Sequence, residues 1–317
     1  MSEPAAPPNP PDGTLVPDAI PPRPPRSRVG VLVQVVGFLV GLGLLGWCVT
    51  QAFKPQNRAS LERLAEAPAL DVALILALTG ASLAANGLMF WALLRPVKRI
   101  PALDCVAVNA VATFLNYLPF KLSLVFRFLV HNRRNAVPLL TIGAWIGAFA
   151  IVMLCVLGPL LAAGVHDAQL GPDERPTPGA IDPIYWLLTL AAPLALLATA
   201  VLGARTFAGP RGLARLDAIT RRLPLGVLNR LVNSRFFAQL HAGFDMLGAP
   251  GPVALAFVLR ALDTLAQAAR FLVCARVVGA EVTPQQAMLF ASAYYLIGAA
   301  SPAGALGTRE AGTVGLG

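Results

Sequence analysis

Apolar residues come in long blocks along this chain, separated by short basic or proline-rich stretches. A helix needs about 20 consecutive apolar residues to cross the hydrocarbon core of a bilayer. Blocks of about that length predict membrane spans over about 29–53, 70–94, 137–163, 183–204 and 252–278. The pattern therefore predicts an all-α, polytopic membrane protein.

The apolar block at 102–131 is interrupted, whereas the predicted spans are continuous. Pro119 cannot donate a backbone hydrogen bond and disfavours helical geometry at the residue before it. The half that follows is about 17 Å long at ~1.5 Å per residue, well short of the ~30 Å hydrocarbon core. We predict a re-entrant hairpin with its tip near Asn116 to Lys121 and both ends on one side of the membrane.

A second interruption follows the last predicted span. Residues 285–300 are apolar, and the next segment contains the helix breakers Pro302, Gly304 and Gly307. We predict a second broken hairpin over 285–317 that enters from the opposite side, and such a pair is typical of inverted-repeat transporters. Channels, membrane enzymes and proline-kinked helices have similar breaks. Because no further apolar span follows Glu310, we expect this hairpin to be truncated.

Composition and charge support a membrane location. Hydrophobic residues make up 56% of the chain and charged residues 13%, against about 25% charged in soluble domains. The net charge of +9 is assigned to cytoplasmic loops and not to nucleic-acid binding, because Lys and Arg accumulate in such loops. The proline-rich tail, 1–28, is predicted to be disordered and cytoplasmic.

The three histidines, His131, His166 and His241, lie in predicted loops or at helix ends. They are expected to be solvated or to cap helices.

The span at 252–278 carries polar residues at helical spacing. Arg260, Asp263, Gln267 and Arg270 lie close to one helical face. A charge at the bilayer centre costs between about 3 and more than 10 kcal/mol, so this face is expected to point into the bundle or a cavity. Arg260 and Asp263 can pair at i, i+3. A polar clamp between helices, or arginines that snorkel toward opposite interfaces, are the alternatives.

The remaining candidate residues lie at the two breaks: Asn116, Lys121 and Arg127 at the first, Arg309 and Glu310 at the second. Donors beside a broken helix favour an anion, which suits a phosphate-bearing lipid headgroup. Lys121 and Arg127 would equally suit the membrane interface. Arg309 and Glu310 suit local pairing or a zwitterionic group. The sequence contains no recognised hydrolase, zinc-protease or phosphate-loop motif, and we expect no metal or cofactor.

Both breaks carry a family resemblance. Asn116, Pro119 and Arg127 match a motif of the form N-x-x-P, then Gly-Glu, then Arg, with Ser123 and Leu124 in place of Gly-Glu. Matches to a second motif, P-x-P-G-G-L-G-x-x-E, are Pro302, Gly304, Leu306, Gly307 and Glu310. Over about 29–317 the chain resembles the transmembrane region of the lysylphosphatidylglycerol synthase family, also described as a flippase-like domain. The resemblance implies lipid translocation, whereas lysyl transfer belongs to a separate soluble domain of full-length synthases.

The sequence thus favours a flippase-like protein of the bacterial cytoplasmic (inner) membrane that moves a phospholipid or polyprenyl-linked lipid. Its expected partners are membrane lipids with anionic or phosphate-bearing headgroups, and no nucleic acid. Two alternatives stay open. A scaffold subunit would co-purify with a separately encoded lipid-modifying enzyme, and an intramembrane lipid enzyme would yield a lipid product.

Overall fold

A computed structural model describes residues 53–116, 122–170, 182–222 and 235–300, with scattered positions between 35 and 50. Across these residues the regular structure is helical, without strands. In chain order the helices are α1 Arg58–Ala65, α2 Ala69–Leu94, α3 Ala102–Leu115, α4 Leu122–Arg133, α5 Leu139–Gln169, α6 Pro183–Phe207, α7 Gly209–Arg222, α8 Arg235–Leu247, α9 Pro250–Val278 and α10 Pro284–Ala300. The predicted all-α class is confirmed. The predicted span 29–53 lies almost wholly outside the described residues.

Four of these helices are long and apolar enough to cross a membrane: α2, α5, α6 and α9, with 26, 31, 25 and 29 residues. At ~1.5 Å per residue each exceeds the ~30 Å hydrocarbon core. Their outward faces carry large apolar side chains, such as Leu76, 66% exposed, and Leu202, 63% exposed. Apolar surface of this extent belongs in lipid and not in water. The chain is an integral membrane protein.

Prolines and one glycine set several helix boundaries. Pro68, Pro101 and Pro138 each precede a helix, with ψ of 133°, 136° and 143°. At the other end of a span, Gly279 closes α9 with φ of 75°. Glycine adopts this left-handed geometry without the steric penalty of a Cβ atom, which suits it to the end of a helix.

The helices α2 and α9 form an antiparallel pair at the centre of the fold. Asn86 donates to Asp263 at 2.8 Å, and Arg270 donates to Thr79 at 2.9 Å. Residue numbers therefore rise along α2 as they fall along α9. The end of α2 lies beside the beginning of α9, and the beginning of α2 beside the end of α9.

Two short helices start at opposite ends of this pair. α3 follows the end of α2 and has 14 residues, whereas α10 follows the end of α9 and has 17. At ~1.5 Å per residue they are about 21 and 26 Å long, less than the ~30 Å core. Re-entry into the membrane and the inverted repeat stay predictions, because the tip at 117–121 and the break at 301–317 lie outside the described residues.

The apolar core lies between α2, α5, α8 and α9. Met89, Trp145, Met246 and Val253, one from each helix, are at most 1% exposed. His131 at the end of α4 is also buried, with its ring 4.8 Å from that of Trp145. The expectation of a solvated or capping histidine was wrong for His131, because the helix end on which it lies packs against α5.

A close contact between α2 and α3 depends on Gly87. A Cβ atom at this position would fall 2.5 Å from the Cα atom of Val106. We expect Gly87→Ala to lower the free energy of unfolding by about 1–3 kcal/mol because the two backbones must separate. Unfolding by SDS in mixed micelles measures the loss. Gly80→Ala on the same helix is the control, since nothing lies within 4 Å of its added Cβ; equal losses would contradict the prediction.

Candidate functional site

A cavity of about 490 Å³ lies inside the bundle, between α2, α3, α4, α5, α9 and α10. Apolar side chains form part of its wall, among them Phe90, Leu124, Phe149 and Met153. Its polar lining comprises Thr79, Ser82, Asn86, Asn109, Thr113, Asn116, Ser123, Arg127, Arg260, Gln267, Arg270, Tyr294 and Tyr295. A largely apolar pocket with convergent polar groups is the usual form of a binding site for a small molecule or a headgroup.

A buried ion pair lies beside this cavity. The guanidinium group of Arg260 contacts the carboxylate of Asp263, three residues later on α9, and each residue is only 1% exposed. The pairing predicted from the i, i+3 spacing is therefore present. Since desolvation of both charges is costly, such a pair is tolerated only where further hydrogen bonds satisfy it.

The carboxylate of Asp263 receives those further hydrogen bonds from two other helices. On α2, the hydroxyl of Ser82 donates to Oδ1, and the side-chain amide of Asn86 donates to Oδ2 at 2.8 Å. On α10, the hydroxyl of Tyr295 donates to Oδ1 at 3.0 Å. Asp263 thus joins α2, α9 and α10 at one point and is fully occupied as an acceptor.

Arg260 is less completely satisfied than its partner. Its Nη1 donates to Asn86 Oδ1 at 3.3 Å, and its guanidinium carbon lies 4.1 Å from the ring centroid of Tyr295. Its Nε is buried and has no hydrogen-bond partner among the described residues. An unpaired donor in a low-dielectric site is energetically costly.

Arg127 reaches the cavity from α4. Its Nη2 donates to Asn109 Oδ1 at 2.6 Å, and its guanidinium carbon lies 4.3 Å from the centroid of the Phe90 ring. The amide of Asn109 is held in turn, because its Nδ2 donates to the carbonyl of Leu83 at 2.9 Å. One neutral amide and an aromatic face orient this arginine without neutralising it.

Arg270 reaches the cavity from α9. Its Nη1 donates to Thr79 Oγ1 at 2.9 Å, and its Nη2 contacts Gln267 Oε1. Both partners are neutral. Three guanidinium groups therefore line the cavity, and Asp263 neutralises one of them. Among the described lining residues there is no carboxylate, so within that set Arg127 and Arg270 have no acidic partner and favour an anion.

The ion pair lies near mid-depth. Asp263 is close to the middle of α9, Pro250–Val278, and its donor Ser82 is close to the middle of α2, Ala69–Leu94. In helices that cross a bilayer, residues near the middle lie near the bilayer midplane. Transporters built on inverted repeats place their substrate sites at this depth.

The family model described as "Lysylphosphatidylglycerol synthase TM region" matches residues 34–317. The chain belongs to this family. The resemblance predicted from the two motifs is thereby confirmed. No curated protein and no solved structure matches the chain.

The first motif of the lysylphosphatidylglycerol synthase membrane region borders the cavity. Asn116 and Arg127 both line it, and Ser123 donates to Asn116 Oδ1 at 3.2 Å. Leu124, which stands where the motif has glutamate, lines it as well. At this position the cavity therefore presents an alkyl group.

The structure brings together most of the site residues predicted from the sequence. Asn116, Arg127, Arg260, Gln267 and Arg270 line one cavity, and Asp263 lies directly behind Arg260. Arg260 does not snorkel to an interface, since it is buried and paired. The remaining predicted residues lie outside the described part of the chain: Lys121, Pro119, Pro302, Gly304, Gly307, Arg309 and Glu310.

Sequence reasoning missed the polar partners on α2 and α3. Thr79, Ser82 and Asn86 contact the polar face of α9, and Asn109 holds Arg127. Their intervals of three and four residues place the three α2 side chains on one helical face. A polar stripe in an otherwise apolar span was the available signal.

Proposed function

We propose that the chain translocates a lipid with an anionic, phosphate-bearing headgroup across the bacterial cytoplasmic membrane. The observation that carries this proposal is a pair of cavity-lining arginines, Arg127 and Arg270, which have no carboxylate partner among the described residues and lie beside the neutral Arg260–Asp263 pair. Charges are rare inside membrane spans and mark substrate pathways when they face a cavity.

Arginine suits the proposed ligand. The planar guanidinium group forms charge-assisted, often bidentate hydrogen bonds with phosphate oxygens. Phe90, Phe149 and Met153 form apolar wall beside these arginines. A lipid presents both kinds of surface, a charged phosphate and an apolar tail, and membership of the lysylphosphatidylglycerol synthase membrane family is compatible with a lipid-related role.

The arrangement of the short helices also supports transport. Because α3 and α10 start at opposite ends of the antiparallel pair α2–α9, they approach the cavity from opposite sides of the bundle. We propose that they are the first halves of two re-entrant hairpins related by an inverted repeat. In transporters of that kind, the two halves move against one another around a fixed central site.

Loop charge supports an orientation for this transporter. Arg95, Lys98 and Arg99 follow α2, which by the positive-inside rule supports a cytoplasmic position for the end of α2. We propose a cytoplasmic N-terminus on the same basis. A separately encoded lipid-modifying enzyme would then supply the lipid from the cytoplasmic side.

Reconstitution tests the proposed function. Purified protein is placed in phosphatidylcholine vesicles containing tail-labelled fluorescent phosphatidylglycerol, and dithionite reduces the label in the outer leaflet. We expect wild-type protein to make the inner-leaflet label accessible. We expect Arg127→Gln to slow this by roughly tenfold or more, the usual effect of losing a charge-assisted hydrogen bond.

Arg134→Gln is the matched control for this experiment. Arg134 follows α4, its side chain is 68% exposed, and it pairs with Asp104 at 3.0 Å away from the cavity lining. The proposal fails if wild-type vesicles protect their inner leaflet as well as protein-free vesicles do. If a stoichiometric enzyme partner co-purifies and no lipid moves, the scaffold alternative replaces it.

A further inference from the structure

Arg127 and Arg270, which have no acidic partner among the described lining residues, are anchored at different depths of the same cavity. Arg127 lies over the ring of Phe90, and Arg270 donates to the hydroxyl of Thr79. Thr79 and Phe90 are both on α2, eleven residues apart, which is about 16 Å along the helix axis at ~1.5 Å per residue. Since eleven residues are close to three full turns, the two anchors also share one face of α2.

One phosphate group is too small to bridge this distance. With N–O distances of about 2.8 Å on each side, a single phosphate joins two guanidinium groups only when their carbons are within roughly 9 Å. The anchoring contacts of the two arginines are separate: Arg127 donates to Asn109 at 2.6 Å, and Arg270 donates to Thr79 at 2.9 Å.

The space between the two arginines is occupied by the neutral ion pair. Ser82 and Asn86, which bond Asp263, lie between Thr79 and Phe90 on α2. Because Arg260 is neutralised by Asp263, it does not present a third full charge to an anion. Arg260 still lines the cavity between them, and its buried Nε lacks a hydrogen-bond partner among the described residues.

We propose that Arg127 and Arg270 are two separate stations for one anionic headgroup, which passes between them along Arg260. This inference rests on the proposed function and names how the same cavity would use its charges. Arg127 binds the phosphate near the end of α2, and Arg270 binds it beyond the middle of the bundle. One ligand phosphate neutralises one station at a time, so a monoanionic phosphodiester fits better than a group that needs both arginines together.

Binding of a soluble lipid distinguishes two stations from one shared site. Full-length protein in detergent is titrated calorimetrically with dihexanoyl phosphatidylglycerol, and with dihexanoyl phosphatidylcholine as the zwitterionic comparison. We expect at least one of Arg127→Gln and Arg270→Gln to keep wild-type affinity within about twofold, because the other station still binds. We expect the double variant to lose roughly tenfold or more.

Translocation by the same variants completes the test. Since the phosphate must visit both stations, each single glutamine variant is expected to translocate at the background rate even where it binds. The control on α9 is Arg276→Gln, because Arg276 has a 65% exposed side chain and pairs with Asp71 outside the cavity. Lysine at either station is the conservative variant and should restore the translocation that glutamine loses, which separates lost charge from misfolding.

Several outcomes would overturn the two stations. Losses of tenfold or more in both single variants indicate one shared site, and wild-type translocation by either variant removes that arginine from the path. Equal affinity for phosphatidylcholine excludes recognition of the net charge. If the binding pattern is as expected but wild-type vesicles move no lipid, the proposed function fails and the two binding stations stand. If wild-type vesicles move lipid but both single variants lose binding, the proposed function stands and the two stations are wrong.

Discussion

Replacing Asp263 with asparagine is expected to lower the free energy of unfolding by about 3–5 kcal/mol, the loss typical when one partner of a buried ion pair is removed. Arg260 would keep its charge at 1% exposure, with the ring of Tyr295 and the amide of Asn86 as its neighbours. The new amide nitrogen would also face donors that now bond a carboxylate oxygen. Unfolding by SDS in mixed micelles, followed by circular dichroism, measures the change.

Asp71→Asn is the matched control, because Asp71 also pairs with an α9 arginine, Arg276, whose side chain is 65% exposed. An ion pair with so exposed a partner contributes about 0–1 kcal/mol. The double variant Arg260→Gln with Asp263→Asn removes both buried charges and is expected to recover most of the lost stability. Equal losses for Asp71→Asn and Asp263→Asn would show that burial of the arginine does not set the strength of the Arg260–Asp263 pair.

Helical spacing was sufficient to predict which side of α9 faces the interior. The intervals between Arg260, Asp263, Gln267 and Arg270 define one face, and the high cost of a charge in lipid directs that face inward. Three of these residues line the cavity and Asp263 pairs with Arg260 beside it. This inference needs only one helix, so it does not depend on how the helices pack.

The partners of that face could not be predicted in the same way. Ser82 and Asp263 are 181 positions apart, and helical periodicity assigns a face to each residue without assigning the neighbour opposite it. Asn109 is a similar case, since its amide joins Leu83 on α2 to Arg127 on α4. Contacts of this kind follow from the antiparallel register of α2 and α9 and from the position of α3 against them.

The burial of His131 shows the same limit at a helix end. A residue near the end of a short helix, next to arginines, has the sequence context of a solvated side chain. The helix α4 nevertheless packs its end against α5, where the His131 ring meets Trp145. Local sequence indicates where a helix stops, but only the neighbouring helices determine whether its end reaches water.

Replacing Trp145 with alanine is expected to lower the free energy of unfolding by about 3–5 kcal/mol, as for other large buried side chains. Trp145 is 1% exposed, and its indole N–H donates to the carbonyl of Phe90 at 2.8 Å. Its ring also meets that of Phe90 edge-on, with centroids 5.4 Å apart. Alanine would leave a cavity between α2, α4 and α5, and chemical unfolding in micelles measures its cost.

Two further variants separate packing from hydrogen bonding at this position. Trp186→Ala removes a tryptophan that is 43% exposed and is expected to cost less than about 1 kcal/mol. Trp145→Phe keeps an aromatic ring but loses the hydrogen bond to Phe90, so an intermediate loss is expected. A loss for Trp145→Ala no larger than that for Trp186→Ala would contradict the assignment of Trp145 to the core.

The consequence of Trp145→Ala should extend beyond stability, because Phe90 is the ring over which the Arg127 guanidinium lies at 4.3 Å. Phe149 stacks on the same ring at 4.0 Å, so Phe90 is held by two aromatic residues of α5. If Trp145 positions Phe90, its removal should weaken binding at the Arg127 station while leaving binding at Arg270 intact. Calorimetric titration of the double variant Trp145→Ala with Arg270→Gln by dihexanoyl phosphatidylglycerol isolates that effect. If its affinity equals that of Arg270→Gln alone, Trp145 contributes to packing and not to binding.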